Sequence, residues 1–101
     1  MNPVAEFRQL VQLRGQELRS RRFDQLVGFP TSESEEVAVG SRSGRITVNV
    51  EPQPDGKLRV VVQGFMKTRI HIGSHVALDG FYKHPDGMVS PMADDEFYGY
   101  D

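Results

Sequence analysis

His71, His75 and His84 are the side chains best suited to acid–base work or metal ligation near neutral pH. His71 and His75 stand four apart, a spacing that on a helix would bring both imidazoles to one ion. Their neighbours Ile70, Ile72, Gly73 and Val76 are β-branched or glycine and read as strand. Along a strand, residues four apart are separated by about 13 Å, whereas metal–nitrogen bonds are about 2 Å long. No metal site is expected from this pair. His84 lies close in sequence to Asp79 and Asp86, and these three form the histidine–carboxylate group that could exchange a proton with a substrate. His84-Pro85-Asp86-Gly87 is also what a tight turn asks for, with proline at the second position and glycine at the fourth. Turn chemistry accounts for these residues without catalysis, so no catalytic residue is assigned.

Other catalytic signatures are missing. No serine stands in a G-x-S-x-G elbow, and no glycine-rich loop opens a helix where it could cradle phosphate. Gly40-Ser41-Arg42-Ser43-Gly44 has the composition of a phosphate loop but lies between two strand-like segments, where it reads as a hairpin. The chain has no cysteine, which excludes disulfides, thiol nucleophiles and thiolate metal sites. Nothing in the sequence calls for a cofactor.

Two surfaces could bind a partner. Arg45, Lys57, Arg59, Lys67 and Arg69 share the odd parity of the strand segments, with Phe65 among them. A basic sheet face bearing an aromatic is one design for single-stranded nucleic-acid binding. Against it stand the net charge of −2 and a single ring as stacking platform. Charged residues on an outer sheet face also serve solubility alone. The second surface is aromatic: Phe81, Tyr82, Phe97 and Tyr98, with Tyr100, crowd into the last 21 residues. They could line a cleft for a ligand or a protein, or seal the open end of the sheet.

The elements that would position these groups follow from periodicity. With 101 residues, 38% apolar and 26% charged, the chain is the size and composition of one globular domain. Residues 1–30 are net basic, 31–89 balanced, and 90–101 carry Asp94, Asp95, Glu96 and Asp101 without a base. Asn2-Pro3 is a helix start. Phe7, Leu10, Val11 and Leu18, continued by Phe23, Leu26 and Val27, predict a helix over about 3–27 that Gly28-Phe29-Pro30 ends. Gly15 interrupts it, at a kink or a close approach to the sheet. Residues 30–35 read as a linker, and the sheet as about 36–90.

From Val37 the period becomes two. A four-residue loop, Ser41–Gly44, would set Val39 beside Ile46 and Val37 beside Val48. The next hairpin would pair residue 50 with 58, 48 with 60, 46 with 62, and Glu51 with Lys57. A break is expected near Gly64, a further strand over 75–83, a short return strand at 88–89, and one helical turn over 93–98 within the acidic, aromatic tail 91–101.

The expected fold is α+β: an N-terminal helix packed on an antiparallel meander of four to five strands, cystatin-like in outline. Such folds host many functions. The expected function is a small non-catalytic binding or protein-interaction domain whose partner is another protein or a second copy of the chain. A small enzyme built on Asp79, His84 and Asp86 and a nucleic-acid binder built on the basic face are the alternatives, with nucleic acid ranked below a protein. Without a signal-like or membrane-length apolar run, a cytoplasmic location away from membranes is the expectation.

Overall fold

Phe7, Val11 and Leu18 recur on one side of a helix, and a helix, α1, forms over Pro3–Ser20 with all three at most 1% exposed. The computed structural model describes residues 3–40, 42–66 and 74–92. A short helix α2, Phe23–Val27, follows, then strands β1 Ser32–Val39, β2 Arg42–Pro52, β3 Leu58–Met66, β4 Ser74–Lys83 and β5 Val89–Pro91. The strands pair antiparallel in chain order, and α1 lies over β3 and β4. This is the expected helix on a meander, with five strands, and it fits the cystatin-like outline. No helix among the described residues is long and apolar enough to cross a membrane.

The core lies between α1, α2 and one face of the sheet. It gathers Phe7, Val11, Leu18 and Leu26 against Val39, Ile46, Val48, Val50, Leu58, Val60, Val62, Met66 and Phe81. Bare backbone lets the helix come close. A Cβ on Gly44 would lie 2.8 Å from the Phe7 ring, and one on Gly64 would lie 2.7 Å from Val11 and 2.8 Å from Phe7. All three distances are shorter than side chains tolerate, so the two glycines form a slot for Phe7.

The helix expected to reach residue 27 ends at Ser20 instead. Arg21 bends and Arg22 is extended, at φ −70° and ψ 155°. Three carbonyls that a helix end would leave open are satisfied there. Ser20 Oγ donates to Glu17 O at 2.6 Å, Arg21 N to Leu18 O at 3.2 Å, and Lys83 Nζ to Arg19 O at 3.0 Å. Gln25 Oε1 accepts from Arg22 N at 3.0 Å and starts α2. The break changes the phase of the apolar residues. Leu26 is fully buried, whereas Val27 is 56% exposed; within α1, Leu10 also leaves the apolar face at 38%.

The linker expected over 30–35 is largely strand. β1 begins at Ser32, and Val50 N donates to Thr31 O at 3.0 Å. Backbone pairing holds this stretch, and its side chains through Glu36 are exposed, so no apolar alternation marks it. Both hairpin registers differ from expectation by two residues or more. Val39 pairs with Arg42 and Val37 with Gly44 across a two-residue loop. Gly40, at φ 62°, supplies the positive φ that such primed turns require. In the second hairpin Val50 pairs with Val60, Val48 with Val62, and Glu51 with Arg59. β2 continues through Pro52, and a tight loop closes by Gln53 N to Lys57 O at 2.8 Å. A two-residue shift preserves parity, so the expected core residues remain inside.

The break near Gly64 is present as a register shift between Gly64 and Phe65. Gly87 N to His84 O and His84 N to Met88 O, both 2.9 Å, close the expected turn before β5. The helical turn expected over 93–98 lies outside the described residues.

Candidate functional site

The longer of the two edge strands meets open solvent along most of its length. β1 is an edge strand, exposed through Glu36. The phase of its backbone follows from the bond between Val50 N and Thr31 O, 3.0 Å, and from a register that runs without a shift to Val39–Arg42. Alternation in an antiparallel ladder then turns Glu33, Glu35, Val37 and Val39 toward β2. Ser32, Ser34, Glu36 and Ala38 point their N–H and C=O groups away from the sheet.

Beside the hairpin end of this edge, α1 stands off the sheet and leaves a groove of about 370 Å³. Glu6, Gln9, Leu10 and Leu13 of α1 line one wall; Ala38, Val39 and Gly40 line the other. Leu13 is 51% exposed, the larger part of an apolar side chain left in water. The groove arises because α1 covers β3 and β4 far more than β1.

Charge is distributed unevenly about this side. Arg19 binds Asp79 through two hydrogen bonds, at 2.7 and 2.8 Å; Arg14 and Arg21 both hold Glu17; Arg59 meets Glu51 at 2.7 Å; Arg22 and Lys57 meet Asp24 and Asp55, both at 3.3 Å. Glu6, Glu33, Glu35 and Glu36 form no ion pair among the described residues. Glu36 stands opposite Arg45, whose guanidinium instead lies over the Phe65 ring, 5.7 Å from its centre. The open edge and the groove are thus bordered by uncompensated acid.

The histidine–carboxylate group does not assemble. Asp79 points to the helix side, where Arg19 takes both its oxygens. That bond raises the Arg19 guanidinium above its ordinary pKa, with desolvation opposing it. His84 Nε2 shares a hydrogen bond with Ser90 Oγ at 2.8 Å, and Asp86 Oδ1 accepts from Met88 N at 3.0 Å. All three are spent on folding: one clamps α1 to β4, one ties β5, one closes a turn. Of the histidine pair, His71 and the side chain of His75 lie outside the described residues; among the described residues no group of three His, Asp or Glu could hold an ion.

The basic face is only partly described, since Lys67 and Arg69 lie outside the described residues. Its other bases have partners within the chain. Arg45 covers Phe65, Arg59 binds Glu51, and Lys57 lies 3.3 Å from Asp55 with its ammonium 4.4 Å from the centre of the Tyr82 ring. Phe81 and Tyr82 do not line one cleft. Phe81 is fully buried under α1, and Tyr82 joins Val61 and Met92 in a second small cluster on the opposite face. Phe97 and Tyr98 lie outside the described residues.

Glu17 offers a direct check on the helix-end electrostatics. The hydrogen bond from Arg21 is the main cause that lowers its carboxyl below the ordinary value, with Arg14 adding to it against desolvation. An NMR titration is expected to place Glu17 below a free glutamate, and Arg21→Ala to move it upward. Because the folded pKa is depressed, the contribution to stability is present above the unfolded pKa and fades as pH falls through the folded one. A Glu17 that titrates identically with and without Arg21 contradicts this arrangement.

Sequence reasoning missed the α1–β1 side because each of its parts looked ordinary. Leu10 read as part of the helix's apolar face, Leu13 carried no reading, and residues 30–35 read as a linker. The available signal was the run Glu33-Ser34-Glu35-Glu36, which alternates with nothing apolar yet leads directly into Val37 and Val39. Comparison with protein-family models, with curated proteins and with solved structures returns no match.

Proposed function

We propose that the chain is a small non-catalytic protein-interaction domain that engages its partner along the α1–β1 side. The observation that carries this reading is an open edge strand running into an apolar groove with two exposed leucines. An edge strand can accept another strand through backbone hydrogen bonds, while adjacent pockets select side chains. The groups that could have made an enzyme have structural duties, and the described bases of the outer face have partners within the chain. A cysteine-free composition fits a reducing, cytoplasmic setting for such a domain.

The test is selection of binders from a displayed library of random peptides against the intact chain, followed by amide-shift mapping. Selected peptides are expected to shift Leu10, Leu13, Ala38 and Val39. Leu13→Glu should weaken them about tenfold or more while changing stability by only about 0.5 kcal/mol, because the side chain is half exposed. Footprints confined to other faces, or an unchanged affinity in Leu13→Glu, would overturn the proposal.

A further inference from the structure

We infer that the partner of the α1–β1 side is an extended segment with apolar residues at one end and basic residues at the other, added to the sheet as a sixth strand beside β1. This rests on the reading of that side as the interaction surface and specifies what occupies it. Three observations converge. The first is the backbone: Ser34, Glu36 and Ala38 direct their N–H and C=O groups outward, so an incoming strand exchanges hydrogen bonds with these three.

The second is the order of side chains on the helix side of β1. Glu33 and Glu35 come first, exposed and without ion pairs among the described residues; Val37 and Val39 follow, half-buried and buried. The apolar groove lies at the Val39 end, against Leu10 and Leu13. A strand laid antiparallel to β1 therefore meets apolar surroundings opposite Val39 and Val37, then acid opposite Glu35 and Glu33. Its pattern, from N- to C-terminus, is apolar, any, apolar, any, basic, any, basic. Opposite charges across a ladder attract, and like charges repel.

The third observation weighs against a second copy in the registers centred on the edge. Pairing of two β1 strands about a two-fold axis at Glu35 or Glu36 sets that glutamate directly against its own copy. The same acids that attract a basic strand keep the edge from self-association.

The probe is the heptapeptide Val-Thr-Val-Thr-Lys-Thr-Lys, titrated into the full chain and followed by amide shifts. Saturable shifts at Ser34, Glu36 and Ala38 are expected, with binding that weakens several-fold between about 50 and 300 mM salt through screening. The charge-reversed peptide Val-Thr-Val-Thr-Glu-Thr-Glu should bind at least about tenfold more weakly. N-methylation of the three threonines removes the donors that face β1 and should abolish binding; N-methylation of the second valine and first lysine, whose donors face away, should not. Glu33→Lys with Glu35→Lys should exchange the preference between the two peptides. Equal binding of both peptides overturns the charge assignment, and indifference to threonine N-methylation overturns the added strand. If the heptapeptide fails while library-selected peptides occupy the groove, this partner chemistry falls and the interaction surface stands.

Discussion

Val60→Asp is expected to leave the chain unfolded in water. Val60 is fully buried in β3, between Val50 of β2 and Phe81 of β4, beneath the helices. A carboxylate there loses its hydration, and Arg19, on the helix side of β4, is already taken by Asp79. Lys83, another cation on that face, is engaged by the Arg19 carbonyl at 3.0 Å. Burying an unpaired charge costs several kcal/mol even after relaxation, against a total stability of about 5–15 kcal/mol for a domain of this size. Two companions separate charge from packing. Val60→Ala removes two methyl groups and should cost roughly 1–3 kcal/mol, which lowers the melting temperature and leaves the fold. Thr47→Asp lies on the opposite face of β2 and is half exposed, so about 1 kcal/mol or less is expected. Circular dichroism and thermal melts decide the matter. A Val60→Asp chain that melts within a few degrees of the parent would mean that this face of β3 is not the core.

What could be read in advance followed the strength of the burial signal. Ile46, Val48 and Val50 alternate with polar residues, and so do Leu58, Val60 and Val62, because one face of their strands is dry and the other wet; the expected inward set is the observed one. Register was another matter. Parity decides the face, but a two-residue slip leaves parity intact, and turn geometry chose between the alternatives. Gly40 in the left-handed region drew the first hairpin in to two residues, and Pro52 carried β2 past the expected turn. β1 was illegible for the reason that makes it interesting: backbone bonds hold Ser32–Glu36, not burial. The outer face held a further surprise in Val61, fully buried with Tyr82 and Met92, because the run Val60-Val61-Val62 serves two cores rather than one. The histidine–carboxylate group was legible as residues but not as a site. Strand parity put Asp79 under the helix, and turn geometry consumed Asp86.

Gly15→Ala is expected to destabilise the chain, with the sign opposite to the usual one for glycine in a helix. Alanine normally gains about 1 kcal/mol at such a position. Here Gly15 is buried where α1 meets β4, and a Cβ would lie 1.9 Å from Asp79 Oδ2 and 3.0 Å from Asp79 Cγ. Asp79 has little freedom to withdraw. Arg19 holds both its oxygens, Gly80 N donates to Oδ1 at 2.9 Å, and the Arg19 guanidinium is itself placed over Phe81, 4.8 Å from the ring centre. Moving the carboxylate breaks hydrogen bonds between charged groups, worth about 1.5–3 kcal/mol in general, a figure to be discounted because solvent reaches about a third of Arg19. After the propensity gain, a net loss of about 1–2 kcal/mol is expected by denaturant unfolding. A double-mutant cycle isolates the cause. Asp79→Ala costs stability on its own by freeing Arg19, but it also makes room for the methyl group. In that background Gly15→Ala should be neutral or stabilise by up to about 1 kcal/mol. The coupling between the two sites is the signature of close approach, and helix propensity alone gives none. Should Gly15→Ala stabilise the parent chain as much as it does the Asp79→Ala chain, the helix does not rest on that carboxylate, and Arg19 and Asp79 do not clamp α1 to β4 at Gly15.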